Sequence, residues 1–287
     1  MQLDLFMDGR EVMLQNDVIA ALHARDANAG RGALAALSTE FPAHETIAAL
    51  SLLLDALTTP VAPIVSHAAA ADALNYMQTA VVSAARRVLG EHAANPWLSP
   101  LWRSLADAAA GLSFDAQMPQ LHRAYLLLQS GQWVMAETEI ALIPSWRRIP
   151  VPLAWMAQAR FHQSGLDGAW PLLMELAWID APAFRRLAGQ LPAPALHKHL
   201  KDFETDIEDN EPALAWCPAW LLIAVPALSS VMRTTQPGNN HAAERVARLI
   251  FELLALEKQG RHAEIVARRK KLRDGHAGLF DIYMRSR

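Results

Sequence analysis

Apolar residues recur at helical spacing along most of this chain, and short runs of glycine and proline interrupt them. From Arg10 to Arg25, the positions Val12, Leu14, Val18, Ala21 and Leu22 predict an amphipathic helix, with Leu3, Leu5 and Phe6 ahead of it as a cap on its apolar face. The breakers from Asp26 to Gly32 end that helix. A second is expected through Leu34, Leu37 and Phe41, stopped by Pro42. Two more are expected over Glu45 to Leu57 and Ala68 to Gly90, separated by the prolines between Thr58 and Pro63. The stretch from Asn95 to Pro119 is less regular, and Pro96, Pro100, Gly111 and Pro119 leave room for one short helix around Leu101 to Ala110.

Beyond Pro119 the pattern repeats. Leu121, Ala124, Tyr125 and Leu128 form one face, Gly131 breaks it, and Trp133, Ala136, Ile140 and Ile143 form the next before Pro144. A second such hairpin carries Trp155, Ala159 and Phe161, breaks at Gly165 and resumes through Ala169, Leu172, Leu173, Leu176 and Ala177. The tripeptide Gln129-Ser130-Gly131 returns as Gln163-Ser164-Gly165 after 34 residues. Residues 121–180 therefore resemble tetratricopeptide repeats, whose helical hairpins share that period. Gly131, Trp133, Ala136 and Pro144 sit where that family places its turn glycine, an aromatic, a small packing residue and a terminal proline. A looser echo covers the last hairpin, Leu249, Leu253 and Leu256 before Gly260 and Ala263, Ile265 and Leu272 after it. Residues 182–240 depart from the pattern. The expected fold class is all-α, antiparallel helical hairpins stacked as an irregular tetratricopeptide-like α-solenoid of ten to fourteen helices. Its regions would be 1–94, 95–181 and 182–287, or one continuous domain.

Composition agrees. Hydrophobic residues make up 52% of the 287 and charged residues 19%, dominated on the apolar side by Ala and Leu, which favour helix over strand. The apolar stretch from Ala213 to Val231 is interrupted by Pro218 and Pro226, so a buried helix pair is expected there rather than a membrane span. A single cysteine, Cys217, excludes an internal disulfide, and the acidic N-terminus does not read as a signal peptide; a cytoplasmic location is expected. Arg outnumbers Lys by 21 to 5, a bias of the kind GC-rich bacterial genomes produce.

Recognisable chemistry is sparse. There is no Gly-Lys-Ser/Thr phosphate loop, no Gly-X-Ser-X-Gly and no His-Glu-X-X-His. His197 and His199 lie roughly 200° apart on a helix and cannot chelate together. No cofactor and no metal are expected. Cys217, between Trp216 and Pro218, is expected to be buried and structural.

What remains are surfaces. Net charge is -3 overall, yet residues 241–287 carry 11 basic and 6 acidic side chains while 1–240 carry 15 and 23. Asp202, Glu204, Asp206, Glu208, Asp209 and Glu211 make an acidic segment over 202–211, either solvated surface or a docking patch for a basic partner. An Ile207 where a calcium loop needs its glycine argues against an EF-hand. Arg268, Arg269, Lys270, Lys271 and Arg273 form a basic run on a helix spanning 261–273, either a solvated face, a site for an acidic protein or a contact for nucleic acid. Of the nine tryptophans most should fill hairpin interfaces, while Trp133 and Trp146, the latter beside Arg147 and Arg148, are candidate anchors for a partner. The expected function is a non-enzymatic protein-interaction scaffold or adaptor of a bacterial cytoplasmic complex, its partner another protein. The alternatives are a nucleic-acid-associated protein acting through the basic helix, and a helical enzyme without a recognisable motif.

Overall fold

The computed structural model describes the backbone of residues 2–207, 211–238 and 241–287, and side chains over 9–207, 214–238 and 241–287. Among the described residues the fold is all-α, with fourteen α-helices and no strand. The chain divides into two compact units, Met1–Met135 and Ala136–Arg287. In each, helices adjacent in the chain pack on one another, as short connections between apolar-faced helices require.

The first unit opens with α1 (Gln2–Ala24), α2 (Ala27–Glu40) and α3 (Ile47–Thr58). α1 begins at Gln2, so the opening residues expected ahead of the first helix are part of it. Leu14, Val18, Ala21 and Leu22 are buried as the periodicity requires, whereas Val12 faces solvent. The breakers expected over 26–32 occupy only the turn at Arg25 and Asp26. Asp26 caps α2 by accepting from the amides of Asn28 and Ala29, and the chain is helical again from Ala27. Gly30 is a packing residue rather than a turn residue, because a Cβ there would stand 2.4 Å from Leu54 Cδ2 and 3.4 Å from Ala21 Cβ.

Next come α4 (His67–Tyr76), a π-helical stretch Met77–Val82 and α5 (Ser83–Ala108), which is broken at Gly90 by a left-handed φ of +77°. This matches the helix expected from Ala68 to Gly90. The short helix expected around Leu101 to Ala110 is longer, because α5 continues through Pro96 and Pro100. An interior proline costs about 3 kcal/mol, but Trp97, Leu98, Trp102 and Leu105 are all buried here and their burial outweighs it. Trp97 also donates from Nε1 to the Leu22 carbonyl at 2.9 Å, and the Arg25 guanidinium donates to the Trp97 carbonyl while covering its ring. The unit closes with α6 (Arg123–Gln129), and Gly131 turns the chain at φ +72°. The boundary between units falls inside α7 (Trp133–Ala141).

In the second unit, α8 (Pro150–Ile179) is broken at Gly165, φ +65°, where the second hairpin was expected to turn. Its second half buries every residue from Leu172 to Trp178, Glu175 included. Asp180 caps α9 (Ala181–Gln190), followed by α10 (Pro194–Asp206). The apolar stretch from Ala213 resolves into a buried α11 (Cys217–Ala224) and a 3-10 helix Pro226–Arg233, bent against each other by 119°. Only Met232 of the latter is buried, so the expected buried helix pair is one buried helix and one surface turn. Among the described residues no single helix is long and apolar enough to cross a membrane. Last come α12 (Ala242–Gln259), α13 (His262–Gly275) and α14 (Ala277–Arg285), with α12 and α13 forming the predicted terminal hairpin around Gly260.

Gly260 ends α12 in the left-handed conformation, φ +67°, and its amide bonds back to Glu257 and Leu256. Nothing lies within 4 Å of a Cβ placed there, so Gly260→Ala tests backbone strain alone. Calorimetry should find the variant destabilised by about 1 kcal/mol, with its melting point lower by a few degrees and its helical circular dichroism unchanged.

Candidate functional site

The second unit buries two carboxylates, Glu175 and Glu244, each 3% exposed. Removal of an ion from water costs several kcal/mol unless donors replace the lost hydration, and both residues have a paired arginine. Glu175 lies in the otherwise apolar second half of α8. Arg147, on the 3-10 turn Trp146–Arg148, grips it bidentately, with Nε to Oε2 and Nη2 to Oε1, both at 2.7 Å. Glu244 sits in the first turn of α12, where the positive end of the helix dipole favours a carboxylate. Arg248, one turn on, donates from Nε to Glu244 Oε1 at 2.9 Å and stands over the Trp178 ring at 5.9 Å.

Both pairs clamp the loop that leads into α12. Arg147 Nη2 also donates to the Thr234 carbonyl at 3.0 Å, and the Gln236 amide donates to Glu175 Oε1 at 2.7 Å. Arg248 Nη2 donates to the Gln236 carbonyl at 3.1 Å, and the Gly238 amide donates to Glu244 Oε1 at 2.9 Å. Four backbone groups of residues 234–238 are thus held by two buried ion pairs. Beneath the loop lies a cavity of about 210 Å³, lined among others by Arg148, Trp178, Pro237 and His241. Two buried lining residues keep unused polar atoms: Glu244 Oε2 has no donor and Trp178 Nε1 has no acceptor.

The candidate residues read from the sequence fall into three groups. Of the tryptophan and arginine set, Trp133 is half-buried in the first unit, while Trp146, Arg147 and Arg148 belong to the second. Arg147 is paired with Glu175; Trp146 is half-buried against its guanidinium, 5.8 Å away, and Arg148 is exposed. In the acidic segment, Asp202 pairs with Lys198, Glu204 pairs with Arg185, and Asp206 accepts from Trp220 Nε1 at 2.8 Å. Glu208, Asp209 and the side chain of Glu211 lie outside the described residues.

In the basic run, Arg268 pairs with Glu252 at 2.7 Å. Arg269 reaches Tyr283 and Glu257, and those hydrogen bonds hold its guanidinium above its ordinary value. Those contacts tie α13 to α14 and α12. Lys270 and Lys271 are exposed.

Sequence reasoning missed Glu175, Trp178, Glu244 and Arg248 as a group. One signal was present: Glu175 is an isolated carboxylate between Met174 and Leu176 in a wholly apolar run. Among the described residues no group of three or more His, Cys, Asp or Glu is placed to hold a metal ion. Cys217 is fully buried, and burial pushes its thiol well above the ordinary range. Comparison with known protein families, curated proteins and solved structures finds no match for this chain.

Two outcomes follow. Replacement of Arg147 by Met strands the Glu175 carboxylate and should lower stability by about 3–5 kcal/mol in urea denaturation, and adding Glu175→Leu should restore most of the loss. Cys217 should resist a thiol reagent such as dithiobis-nitrobenzoate in the native protein and react fully once denatured, because only the thiolate attacks and burial suppresses it.

Proposed function

We propose that this chain is a non-enzymatic protein-interaction scaffold, its hairpins similar to tetratricopeptide repeats, that presents the surface around the Pro144 turn to a segment of another protein. One observation carries the reading. Leu142, 73% exposed, shares a shallow cleft of about 350 Å³ with Trp146 and Arg148, and the buried Arg147–Glu175 pair holds the turn that displays them. An accessible aromatic and an arginine beside exposed aliphatic surface are the residue types that dominate binding energy in protein interfaces. Their fixed backbone lowers the entropy cost of association.

Nucleic acid is the less favoured partner. Binding through α13 would have to recruit Arg268 and Arg269 from their pairs with Glu252 and Glu257, leaving Lys270, Lys271 and Arg273, the last 3.8 Å from Asp274, as exposed cations of the run.

The test is quantitative capture from a bacterial lysate with wild-type bait, with Trp146→Ala/Arg148→Glu and with Lys270→Ala/Lys271→Ala, each with and without nuclease. The reading expects a defined protein retained after nuclease and reduced about tenfold or more by the first double variant, since anchor truncation costs upwards of ~2 kcal/mol. Retention that ignores the first variant but disappears with the second, or with nuclease, would overturn it.

A further inference from the structure

We propose that a cavity in the first unit binds an amphipathic carboxylate, a medium-chain fatty acid whose head group meets Arg25. At about 570 Å³ the cavity falls within the ~300–1,000 Å³ of small-molecule sites. It is bounded by the end of α3 and the loop that follows, by the π-helical stretch, and by residues 100–105 of α5. Leu57, Val61, Met77, Val81, Leu101 and Leu105 give it apolar walls. Met77 and Val81 belong to the π-helical stretch, an irregularity that recurs at functional sites in helices. Tyr76 and Val61, which also line it, are 53% and 42% exposed, so solvent reaches the space.

Among the described residues Arg25 is the one charged side chain in the wall, and none of the wall is acidic. Its Nη2 donates to the Trp97 carbonyl, whereas Nε and Nη1 have no acceptor among the described residues, and no carboxylate pairs with them. Arg10 is held above the ordinary arginine value by Glu40, and Arg269 by Tyr283 and Glu257. Arg25 is lowered instead, because burial strips part of its hydration and no acid replaces it. The residue is still exposed, so a ligand can reach it.

One cation without a counter-ion beside an apolar space selects an occupant with one negative charge and an apolar body. An amine meets like charge, a neutral hydrocarbon leaves the guanidinium unpaired, and a nucleotide brings more charge than one arginine neutralises. A fatty acid answers both features. Its chain takes apolar surface out of water, and its carboxylate accepts from the two free guanidinium nitrogens.

The probes are hexanoate, octanoate and decanoate, titrated into the full chain by calorimetry and followed in nitrogen-15 correlation spectra through Arg25 Nε and the Met77 and Leu101 amides. Decanol and decylamine are the other arms. Binding should be saturable and tighten about tenfold or more for each two added methylenes. Decylamine should bind at least about tenfold more weakly than decanoate. Arg25→Gly removes the cation and suits the left-handed φ of +55° at that position, so it should weaken decanoate about tenfold or more and leave decanol unchanged. Ala73→Phe keeps the arginine and fills the cavity, and should weaken decanoate and decanol alike, with circular dichroism confirming the fold of both variants.

Equal affinity for decylamine, or decanoate binding indifferent to Arg25→Gly, overturns the carboxylate head group. Binding that ignores chain length or Ala73→Phe, or no binding at all, overturns the cavity. Every residue varied here belongs to the first unit and those varied in the capture experiment to the second, so the two readings can fail separately.

Discussion

Two carboxylates buried in a helical core impose the constraint around which the second unit is arranged. Glu175 is enclosed by apolar neighbours on α8 and Glu244 by the start of α12, and neither position is sustainable without donors. Arg147 and Arg248 supply them. Because a guanidinium has more donors than one carboxylate can use, each arginine has one left for the backbone of the connecting loop. The second Glu175 contact and the Glu244–Gly238 contact complete the clamp. The result is a loop without regular structure, four of whose backbone groups over 234–238 are held by the two pairs, above a small cavity.

Turn chemistry governs the rest. Glycines 90, 131, 165 and 260 all take positive φ, and each marks a break where one helix ends. Side-chain caps at Asp26, Ser66 and Asp180 start α2, α4 and α9. Local signals of this kind need no knowledge of the fold, so the helical class, the breaks at Gly131, Gly165 and Gly260, and the burial of Cys217 were legible in advance. Proline misled at α5, where buried Trp97 and Trp102 hold a helix that local propensity would stop. Gly30 misled for the same reason: its role is to admit Leu54, a neighbour from another helix.

Charge runs were the least informative feature of the chain. The basic run on α13 looks like one surface, but Arg268 and Arg269 turn to Glu252 and Glu257 while the lysines between them and Arg273 remain exposed. Asp202, Glu204 and Asp206 likewise spend themselves on Lys198, Arg185 and Trp220. A run of like charge in sequence is distributed around a helix at 100° per residue, so its members meet different neighbours.

The sequence by itself determined the helical class of this chain and the breaks at Gly131, Gly165 and Gly260, because apolar periodicity and glycine conformation act over a few residues. It also held a signal that went unread, Glu175 as a carboxylate inside an apolar run. Tertiary structure alone decided that Arg147 would satisfy it, that Glu244 and Arg248 would stand across the same loop, and that Trp178 Nε1 and Glu244 Oε2 would be left over. The reason is physical: the partner of a buried charge is chosen by which helix faces pack together, and those contacts join residues far apart in the chain.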